Sequence, residues 1–450
     1  MEGPLPVSWV DAGIFLFSKS FLYILKLILN FSVCTLLKRK EETMKNYLWI
    51  SIVTGCLVLG TLFLLKLETN EQHIEAQTNS TNFDIELQTV QPVFTEQMQE
   101  IGTLQPHVAF AIADESATHY VLQFGQTKVF VEKATDILKT ESAKLQQARP
   151  LTDIVKVVNK ATVYERPDTA SHKLAELRAG FRYPVVKTHE EWYEIELGEH
   201  SGYIAKQNTL QDTGIPVLVY HHILPKHLMT TAASTISQES FSEQMRYLHS
   251  AQFTTITTEQ LAKYLQGEII LPNQSVLITF DDGLLSTKEY AYPILKDYHF
   301  SAVQHIISSR ITSEENERSF ISEGPLQFFT QQEMAQLADV FYYEAHTHDL
   351  HRLEGGHGAA LSLTATQIDQ DLQQNITQLG HVTSIAYPYG HYNEAFIEAA
   401  KRTGIALGFT TNVGYANIKA SPYEIGRLGM TEKTTFEQFT SYVKGEFAQQ

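Results

Sequence analysis

The sequence predicts a mixed α/β protein with an N-terminal membrane helix, a small all-β region and a C-terminal domain of alternating strands and helices. Three observations predict this organisation. An apolar run without charges lies at residues 47–65, short strands separated by turn residues occupy residues 85–212, and strands alternate with helices over residues 213–450. A chain of 450 residues with 43% hydrophobic content is long enough for two or three such domains.

Charge and cysteine content exclude several classes of function. Residues 1–66 hold 7 Lys and Arg against 4 Asp and Glu, whereas the remaining residues hold 27 against 47. Because this body is strongly acidic, we expect no nucleic-acid partner.

The two cysteines, Cys34 and Cys56, both lie in N-terminal apolar runs. Disulfide frameworks, thiolate metal sites and cysteine nucleophiles are therefore excluded from the rest of the chain.

The apolar run is predicted to be a transmembrane anchor at residues 47–67. Its nineteen uncharged residues approach the ~20 that a helix needs to cross ~30 Å of hydrocarbon, and a buried core helix would show a polar face. Basic residues precede the run and acidic residues follow it: Lys38, Arg39, Lys40 and Lys45 before, and Glu68, Glu71 and Glu75 after. By the positive-inside rule we expect a single-pass protein of the cell membrane with an extracellular body.

The sequence before the anchor leaves alternatives open. Residues 1–46 form either a cytoplasmic segment or, at residues 9–37, a second apolar span. Met44 is an alternative start of translation. Residues 53–56 resemble a lipoprotein cleavage box, which makes lipidation of Cys56 an alternative to an uncleaved anchor.

Two small β domains are predicted after a polar linker at residues 68–84. In the first, at residues 85–150, apolar and polar residues alternate around Gly125, which indicates a hairpin. In the second, at residues 151–212, short strands are separated by turn residues. The motifs of this second region are Pro167-Asp168, Leu177 to Gly180, Trp192-Tyr193 and Gly202-Tyr203-Ile204.

These motifs, in this order, resemble bacterial SH3-like domains. Gly125 followed by residues 129–131 resembles a diverged first copy. The resemblance implies binding to the cell wall through its peptides or glycans. A rigid spacer without a ligand is the alternative, because a small barrel needs its aromatic residues for its own core.

Residues 213–450 are predicted to form βα units around a parallel sheet or barrel. Strands are predicted at residues 216–223, 275–280, 302–307, 340–345, 384–388 and 405–410. Helices are predicted at residues 241–251, 259–267, 289–299, 367–380 and 395–404, where apolar residues follow a helical period. In a βα barrel, catalytic groups collect where the strands end.

Two polar clusters directly follow predicted strands. Asp281 and Asp282 are adjacent carboxylates that repel each other, a cost that is tolerated when a cation neutralises one and leaves the other to accept a proton. For Asp-Asp-Gly alone, a plain turn is the alternative. His346, His348 and His351 place three imidazoles within six residues, a donor set suited to zinc, nickel or cobalt with carboxylate help.

An ordered set of motifs resembles the NodB-homology polysaccharide deacetylases, carbohydrate esterase family 4. The motifs are Tyr220-His221, TFDDG at 279–283, His-Thr-x-x-Leu-His at 346–351 and AYPYG at 386–390. The spacing is similar to that of the branch that acts on poly-N-acetylglucosamine. The resemblance covers residues 215–445 and implies a distorted (β/α) barrel that removes acetyl groups from an N-acetylated glycan polymer and releases acetate.

The resemblance also implies roles for individual residues. The catalytic residues would be Asp281 as general base, His221 as general acid towards the departing amine, and Tyr389 as oxyanion donor through its backbone N–H. The metal ligands would be Asp282, His346 and His351. The implied cofactor is a divalent metal, zinc first, with nickel or cobalt as alternatives.

Two departures from the family pattern bear on these roles. The second histidine ligand falls one position later than is usual, at His351, and His348 is a competing ligand because residues i and i+2 share a strand face. The family's arginine beside the base is missing near Ala386, and Arg427 is a candidate replacement. The remaining histidines of the domain are interpreted as surface or pocket-rim residues: His222, His305, His357, His381 and His391.

Two other functions stay open from the sequence. An esterase that removes O-acetyl groups from glycans would need the same metal and base, with less demand on a general acid. A catalytically inactive wall-binding protein would rely on its SH3-like region alone. The glycan is equally open, with peptidoglycan and poly-N-acetylglucosamine as the two candidates.

Overall fold

The computed structural model describes residues 82–142, 148–312 and 319–446. The predicted anchor at residues 47–67 and the apolar stretch before it lie outside these residues. Among the residues that are described, no helix is long and apolar enough to cross a membrane. The described residues belong to a compact unit, Thr81–Gln450.

Short antiparallel strands make up most of the described residues between 82 and 211. Those of the first region are β1 (Asn82–Leu87), β2 (Gln91–Phe94), β3 (Glu100–Leu104), β4 (Ala109–Ala111), β5 (Asp114–Glu115), β6 (His119–Phe124), β7 (Thr127–Glu132) and β8 (Ile137–Ser142). Those of the second are β9 (Asp153–Val157), β10 (Ala161–Tyr164), β11 (Lys173–Leu177), β12 (Phe181–Val185), β13 (Lys187–Thr188), β14 (Trp192–Leu197), β15 (His200–Ala205) and β16 (Thr209–Gln211). The predicted hairpin is confirmed, since β6 pairs with β7 across Gly125, whose φ of 63° suits glycine.

The two β regions share one sheet and one core. Strand β3 of the first region pairs with β11 of the second, with Leu104 opposite Ala175. Side chains from both regions, such as Val129 and Val163, belong to a single buried cluster. Because backbone hydrogen bonds and apolar packing both cross the boundary, the two regions are held together as one β module, which we define as residues 82–211 without 143–147.

The C-terminal domain alternates strands with helices. Its strands are β17 (Val217–Tyr220), β18 (His222–Leu224), β19 (Thr235–Ser237), β20 (Thr254–Thr255), β21 (Leu271–Pro272), β22 (Ser275–Phe280), β23 (Ala302–Ile306), β24 (Phe341–Ala345), β25 (Leu353–Glu354), β26 (His357–Gly358), β27 (Ser384–Ala386), β28 (Leu407–Phe409) and β29 (Leu428–Gly429). Its helices are α1 (Gln238–Ser250), α2 (Thr258–Leu265), α3 (Ser286–Tyr290), α4 (Tyr292–Asp297), α5 (Gln331–Gln336), α6 (Ala365–Leu379), α7 (Glu394–Arg402) and α8 (Phe436–Lys444). Each predicted strand and helix of this domain overlaps an observed one.

One predicted helix is divided in two. The sequence predicts a single helix at 289–299, whereas the structure has α3 and α4 meeting at Ala291. Pro293 lies in the first turn of α4. It has no N–H to donate to a carbonyl one turn earlier, so the helix restarts there. Elsewhere, reciprocal Thr and Gln or Glu hydrogen bonds start α2, α5, α6 and α8 at Thr257, Thr330, Thr364 and Thr435.

The main sheet of the domain is parallel and forms a half-barrel. Within the described residues its order is β28-β27-β24-β23-β22-β17-β29, with β20 beside β22. Strand β22 (SVLITF) is buried along its whole length, as expected of a strand covered on both faces. The segment 425–429 reaches both edges of the sheet, because Ile425 bridges to Phe409 and Leu428 pairs with Leu218 of β17.

A buried ion pair fastens the β module to the C-terminal domain. Strand β12 pairs with β21, and the Arg182 side chain, 1% exposed, forms an ion pair with Asp212. Arg182 also donates to the backbone oxygens of Pro272 at 3.2 Å and Asn273 at 2.8 Å. Arg182 of the β module is therefore bonded to Asp212, which directly follows the module, and to the C-terminal domain at Pro272 and Asn273.

Candidate active site

The predicted site residues lie where parallel strands end. His221 follows β17, Asp281 and Asp282 follow β22, and His346 follows β24. Because the strands are parallel, their carboxyl ends meet at one edge of the sheet, which is where α/β folds place ligand sites.

Asp282, His346 and His351 form the predicted metal-ligand cluster. One side-chain ligand atom from each lies within 4.8 Å of the others. Oδ1 of Asp282 is 3.4 Å from Nε2 of His346 and 3.2 Å from Nε2 of His351. This oxygen is buried and makes no hydrogen bond to a described residue. Since a buried carboxylate oxygen without a partner is costly, its position between two imidazole nitrogens fits a divalent cation.

The backbone and a neighbouring strand orient the ligands. Asp282 has a φ of 77°, a left-handed conformation that is strained for a residue with a Cβ. Nδ1 of His346 donates to the Ala386 carbonyl at 2.7 Å, which leaves Nε2 to face Asp282. Burial lowers the pKa of His351 to about 4, with a smaller contribution from the charge of the nearby His346. His351 is therefore neutral, as a metal ligand must be.

Two side chains of α6 hold the loop that carries the histidines. Asp371 accepts hydrogen bonds from the backbone N–H groups of His348 at 2.7 Å and Asp349 at 2.8 Å. Asn375 is buried and donates to the carbonyls of Ile306 at 3.0 Å and Thr347 at 2.6 Å. Sequence inspection did not single out these two residues, because on the sequence they read as ordinary polar positions of a helix.

The competing ligand His348 lies outside the cluster. Its Nδ1 is 3.0 Å from Oγ of Ser308. The intervening Thr347 has a φ of 69°, so the chain is no longer extended and residues i and i+2 do not share a face. The side chains that the structure brings together are thus Asp282, His346 and His351.

Asp281, the residue before Asp282, is buried and is paired with Arg427. Nη1 of Arg427 donates to Oδ1 at 2.8 Å and Nη2 donates to Oδ2 at 2.7 Å. Burial alone would raise the pKa of Asp281, but the Arg427 charge and hydrogen bonds from His305 and Arg427 hold it well below its usual range. The carboxylate is therefore ionised at neutral pH, and the candidate replacement arginine does contact it.

The interpretation of His305 as a surface or rim residue was wrong. His305 is fully buried on β23, with Nδ1 3.2 Å from Oδ1 of Asp281 and Nε2 3.1 Å from Oγ of Ser384. The sequence AVQHI shows a polar residue within a strand but does not show what lies across the sheet from it. The other four histidines are exposed or half-buried: His222, His357, His381 and His391.

His221 and Tyr389 each lie close to a different residue of the site. Nε2 of His221 is 3.9 Å from Oδ2 of Asp281, and its side chain is 31% exposed. The ring of Tyr389 is 4.4 Å from that of His351, and its backbone φ is 58°. At the next residue, Gly390, φ is 73° and an added Cβ would overlap the side chain of Thr411. This turn therefore requires glycine.

Comparison with known proteins gives two profile matches and two sequence relatives. The polysaccharide deacetylase family profile matches residues 270–408, and the bacterial SH3 domain profile matches residues 157–210. A poly-beta-1,6-N-acetyl-D-glucosamine N-deacetylase of Staphylococcus epidermidis is 30% identical over 204 residues, which is 43% of this chain and 67% of the relative. YxkH of Bacillus subtilis, whose name places it with the polysaccharide deacetylases, is 27% identical over 236 residues, 51% of this chain and 76% of the relative.

Among solved structures, that of IcaB from Ammonifex degensii is 25% identical to this chain. The superposition covers 52% of this chain and 98% of that one, with a TM-score of 0.44.

The half-barrel, the buried carboxylate site and the sequence relatives define the class: a hydrolase that acts on amide bonds. The chain belongs to the polysaccharide deacetylase family and is a polysaccharide N-deacetylase that carries a bacterial SH3 domain.

Proposed function

We propose that this protein is a metal-dependent deacetylase of N-acetylglucosamine residues in poly-N-acetylglucosamine. The observation that carries the proposal is the convergence of Asp282, His346 and His351 next to a buried Asp281, with donor atoms within 4.8 Å of one another. The staphylococcal relative is named for deacetylation of that polymer. This favours poly-N-acetylglucosamine over peptidoglycan as the substrate.

The cluster would hold a divalent cation. One carboxylate and two imidazoles form a donor set that zinc favours and that nickel or cobalt also accepts. When bound there, the cation would polarise the acetyl carbonyl and lower the pKa of a water molecule from ~15.7 towards ~7.

The chain's own residues would move the protons. Asp281 is ionised and directs Oδ2 towards His221, so it would accept the proton of the attacking water. His221 is partly exposed on the same side and would donate a proton to the amine nitrogen as the C–N bond breaks. The backbone N–H of Tyr389 would stabilise the oxyanion. The products are acetate and a glucosamine residue.

Acetate release from three substrates tests the proposal. The metal-loaded full-length protein is assayed on β-1,6-linked poly-N-acetylglucosamine, on peptidoglycan and on an O-acetylated glycan, before and after dialysis against a chelator. We expect release from the first substrate that falls to background on chelation and recovers with zinc. Acetate release from peptidoglycan alone would show that peptidoglycan, and not poly-N-acetylglucosamine, is the substrate. Release from the O-acetylated glycan alone would favour an esterase. Full activity after chelation would exclude metal dependence.

We also propose that residues 47–67 anchor the protein in the cell membrane with the described domains outside, and that the SH3 domain binds the cell wall. The charge-free run and its flanking charges support the first proposal, and the SH3 profile match supports the second. Protease treatment of intact cells tests the first, because an extracellular body is degraded while cytoplasmic proteins are spared. Cosedimentation with purified wall tests the second.

A further inference from the structure

The imidazole of His305 links the proposed base to a neighbouring strand. It lies on β23, between Asp281 at the end of β22 and Ser384 at the start of β27. Both contacts are within hydrogen-bond distance, at 3.2 Å and 3.1 Å. His305 is fully buried and its ring meets that of Phe409 edge-on, with 5.5 Å between centroids. The ring is therefore held in one orientation.

The protonation of His305 follows from its partners. The carboxylate of Asp281 only accepts hydrogen bonds, so Nδ1 of His305 must carry a proton. Burial lowers the pKa of His305 to about 4, so the ring is neutral and Nε2 is bare. The hydroxyl of Ser384, 3.1 Å from Nε2, is placed to donate to it, and the buried carboxyl of Glu344 is a second acceptor for that hydroxyl. When it donates to Nε2, Ser384 supports the tautomer in which His305 donates to Asp281.

The two oxygens of Asp281 are consequently not equivalent. Oδ1 accepts from both Arg427, at 2.8 Å, and His305. Oδ2 accepts from Arg427 at 2.7 Å, and its other neighbour is His221 at 3.9 Å on the open side of the site. Oδ1 is thus saturated by buried donors, whereas Oδ2 retains an acceptor position towards the substrate side.

We infer that His305 is a positioning residue that occupies Oδ1 of Asp281, so that Oδ2 is the oxygen that takes the proton from water. The inference rests on the proposed role of Asp281 as general base. In the step itself, the O–H bond of the attacking water breaks, a new O–H bond forms to Oδ2, and the hydroxide oxygen bonds to the acetyl carbon. His305 contributes no proton to this step.

Substitutions at His305 and Ser384 test the inference in the metal-loaded full-length protein, with a β-1,6-linked N-acetylglucosamine pentamer as substrate. His305→Leu removes the donor at similar volume, and we expect kcat to fall by about ten- to a hundredfold. KM and bound metal should stay unchanged, because neither the substrate nor the metal ligands are touched. His305→Asn, whose amide N–H can replace the Nδ1–H, should recover most of kcat. Ser384→Ala should lower kcat by about three- to tenfold through loss of the tautomer preference.

The outcomes separate a positioning role from a packing role. Equal loss of kcat in His305→Leu and His305→Asn would show that only packing matters and would overturn the inference, as would a wild-type kcat in His305→Leu. If His305→Leu shows no cooperative melting transition, Ser384→Ala decides, and full kcat in that variant overturns the inference. Asp281→Asn separates the role of Asp281 from that of His305. Activity in Asp281→Asn would refute Asp281 as the base. An inactive Asp281→Asn together with fully active His305 variants would refute only the positioning role of His305.

Discussion

Arg427 and Asp281 are 146 positions apart in the sequence, yet the guanidinium and carboxylate face each other with two parallel hydrogen bonds of 2.8 Å and 2.7 Å. The two side chains are 1% and 4% exposed. Arg427 lies on the segment 425–429 that reaches both edges of the sheet. The same segment that brings the sheet edges together therefore also sets the charge of the proposed base.

Replacement of Arg427 should reduce both stability and turnover. Arg427→Met leaves a buried carboxylate without its counter-charge, so we expect the free energy of unfolding to fall by about 3–5 kcal/mol. The pKa of Asp281 should rise because the positive charge is gone, and kcat should fall at least about tenfold. Arg427→Lys keeps the charge but not the two parallel hydrogen bonds. Its stability and kcat should lie between those of the wild type and those of Arg427→Met. Denaturant unfolding and acetate release measure these effects, and wild-type stability in Arg427→Met would contradict the pairing.

The metal site should depend on the cluster and not on the neighbouring histidine. We expect Asp282→Asn and His346→Ala to lose bound metal and activity together, because each removes one of three ligands. His348→Ala is the matched control, since it lies on the same loop but bonds to Ser308. That variant should retain its metal. Elemental analysis of the purified proteins measures the bound metal. Loss of metal in His348→Ala but not in His346→Ala would show that His348, and not His346, is the ligand.

Asp281→Asn should separate metal binding from catalysis. The substitution removes the proton acceptor while Asp282, His346 and His351 remain, so bound metal should be unchanged. We expect kcat to fall by about 10²- to 10⁴-fold, the usual contribution of a general base. Metal content and acetate release are measured on the same preparation. A fully active variant would exclude Asp281 as the base.

The turn at Gly390 should be required for activity. Gly390→Ala places a methyl group against Thr411 at a φ of 73°, so the backbone at Tyr389 must move. If that N–H stabilises the oxyanion, kcat should fall by about 10²- to 10³-fold. Gly380→Ala is the matched control, because φ there is 85° and no atom lies within 4 Å of the added Cβ. It should be strained but active, and equal kcat values in the two variants would argue against a role for the turn.

The junction of the β module should be sensitive to acid. Burial alone would raise the pKa of Asp212, but the charges of Arg182 and Lys156 lower it below its ordinary value of 3.8. A depressed carboxylate pKa contributes stability that is present above pH 3.8 and is lost as the pH falls through the lower, folded-state value. Thermal unfolding between pH 2 and pH 5 should therefore show a decline that is smaller in Asp212→Asn, in which Asp281 and the other paired carboxylates still take up protons.

At neutral pH, Asp212→Asn should lower the free energy of unfolding by about 3–5 kcal/mol, because Arg182 is left buried without its partner. Glu176→Gln is the control within the β module. Its partner Lys160 is 67% exposed, so the loss should stay below about 1 kcal/mol. Equal effects of the two substitutions would show that the buried pair is no more important than a surface pair.

Much of the fold follows from the sequence, because strands and helices depend on local periodicity. The run SVLITF is apolar at every position and becomes the buried strand β22. The alternation around Gly125 becomes the β6–β7 hairpin. The division of the predicted helix 289–299 beside Pro293 is also a local effect, because proline has no N–H to donate.

The sequence also determined which residue types are available at the site. Asp281 and Asp282 lie in one short motif, His346 and His351 lie in another, and His221 and Tyr389 follow strand ends, so the motifs identify them as candidates. Only the tertiary structure decided that Asp282 and not its neighbour faces the histidines, that His348 turns away at Thr347, and that Arg427 and His305 converge on Asp281. The physical reason is distance along the chain. Periodicity records which face of an element is buried, whereas hydrogen bonds between elements far apart in sequence exist only once the sheet has formed.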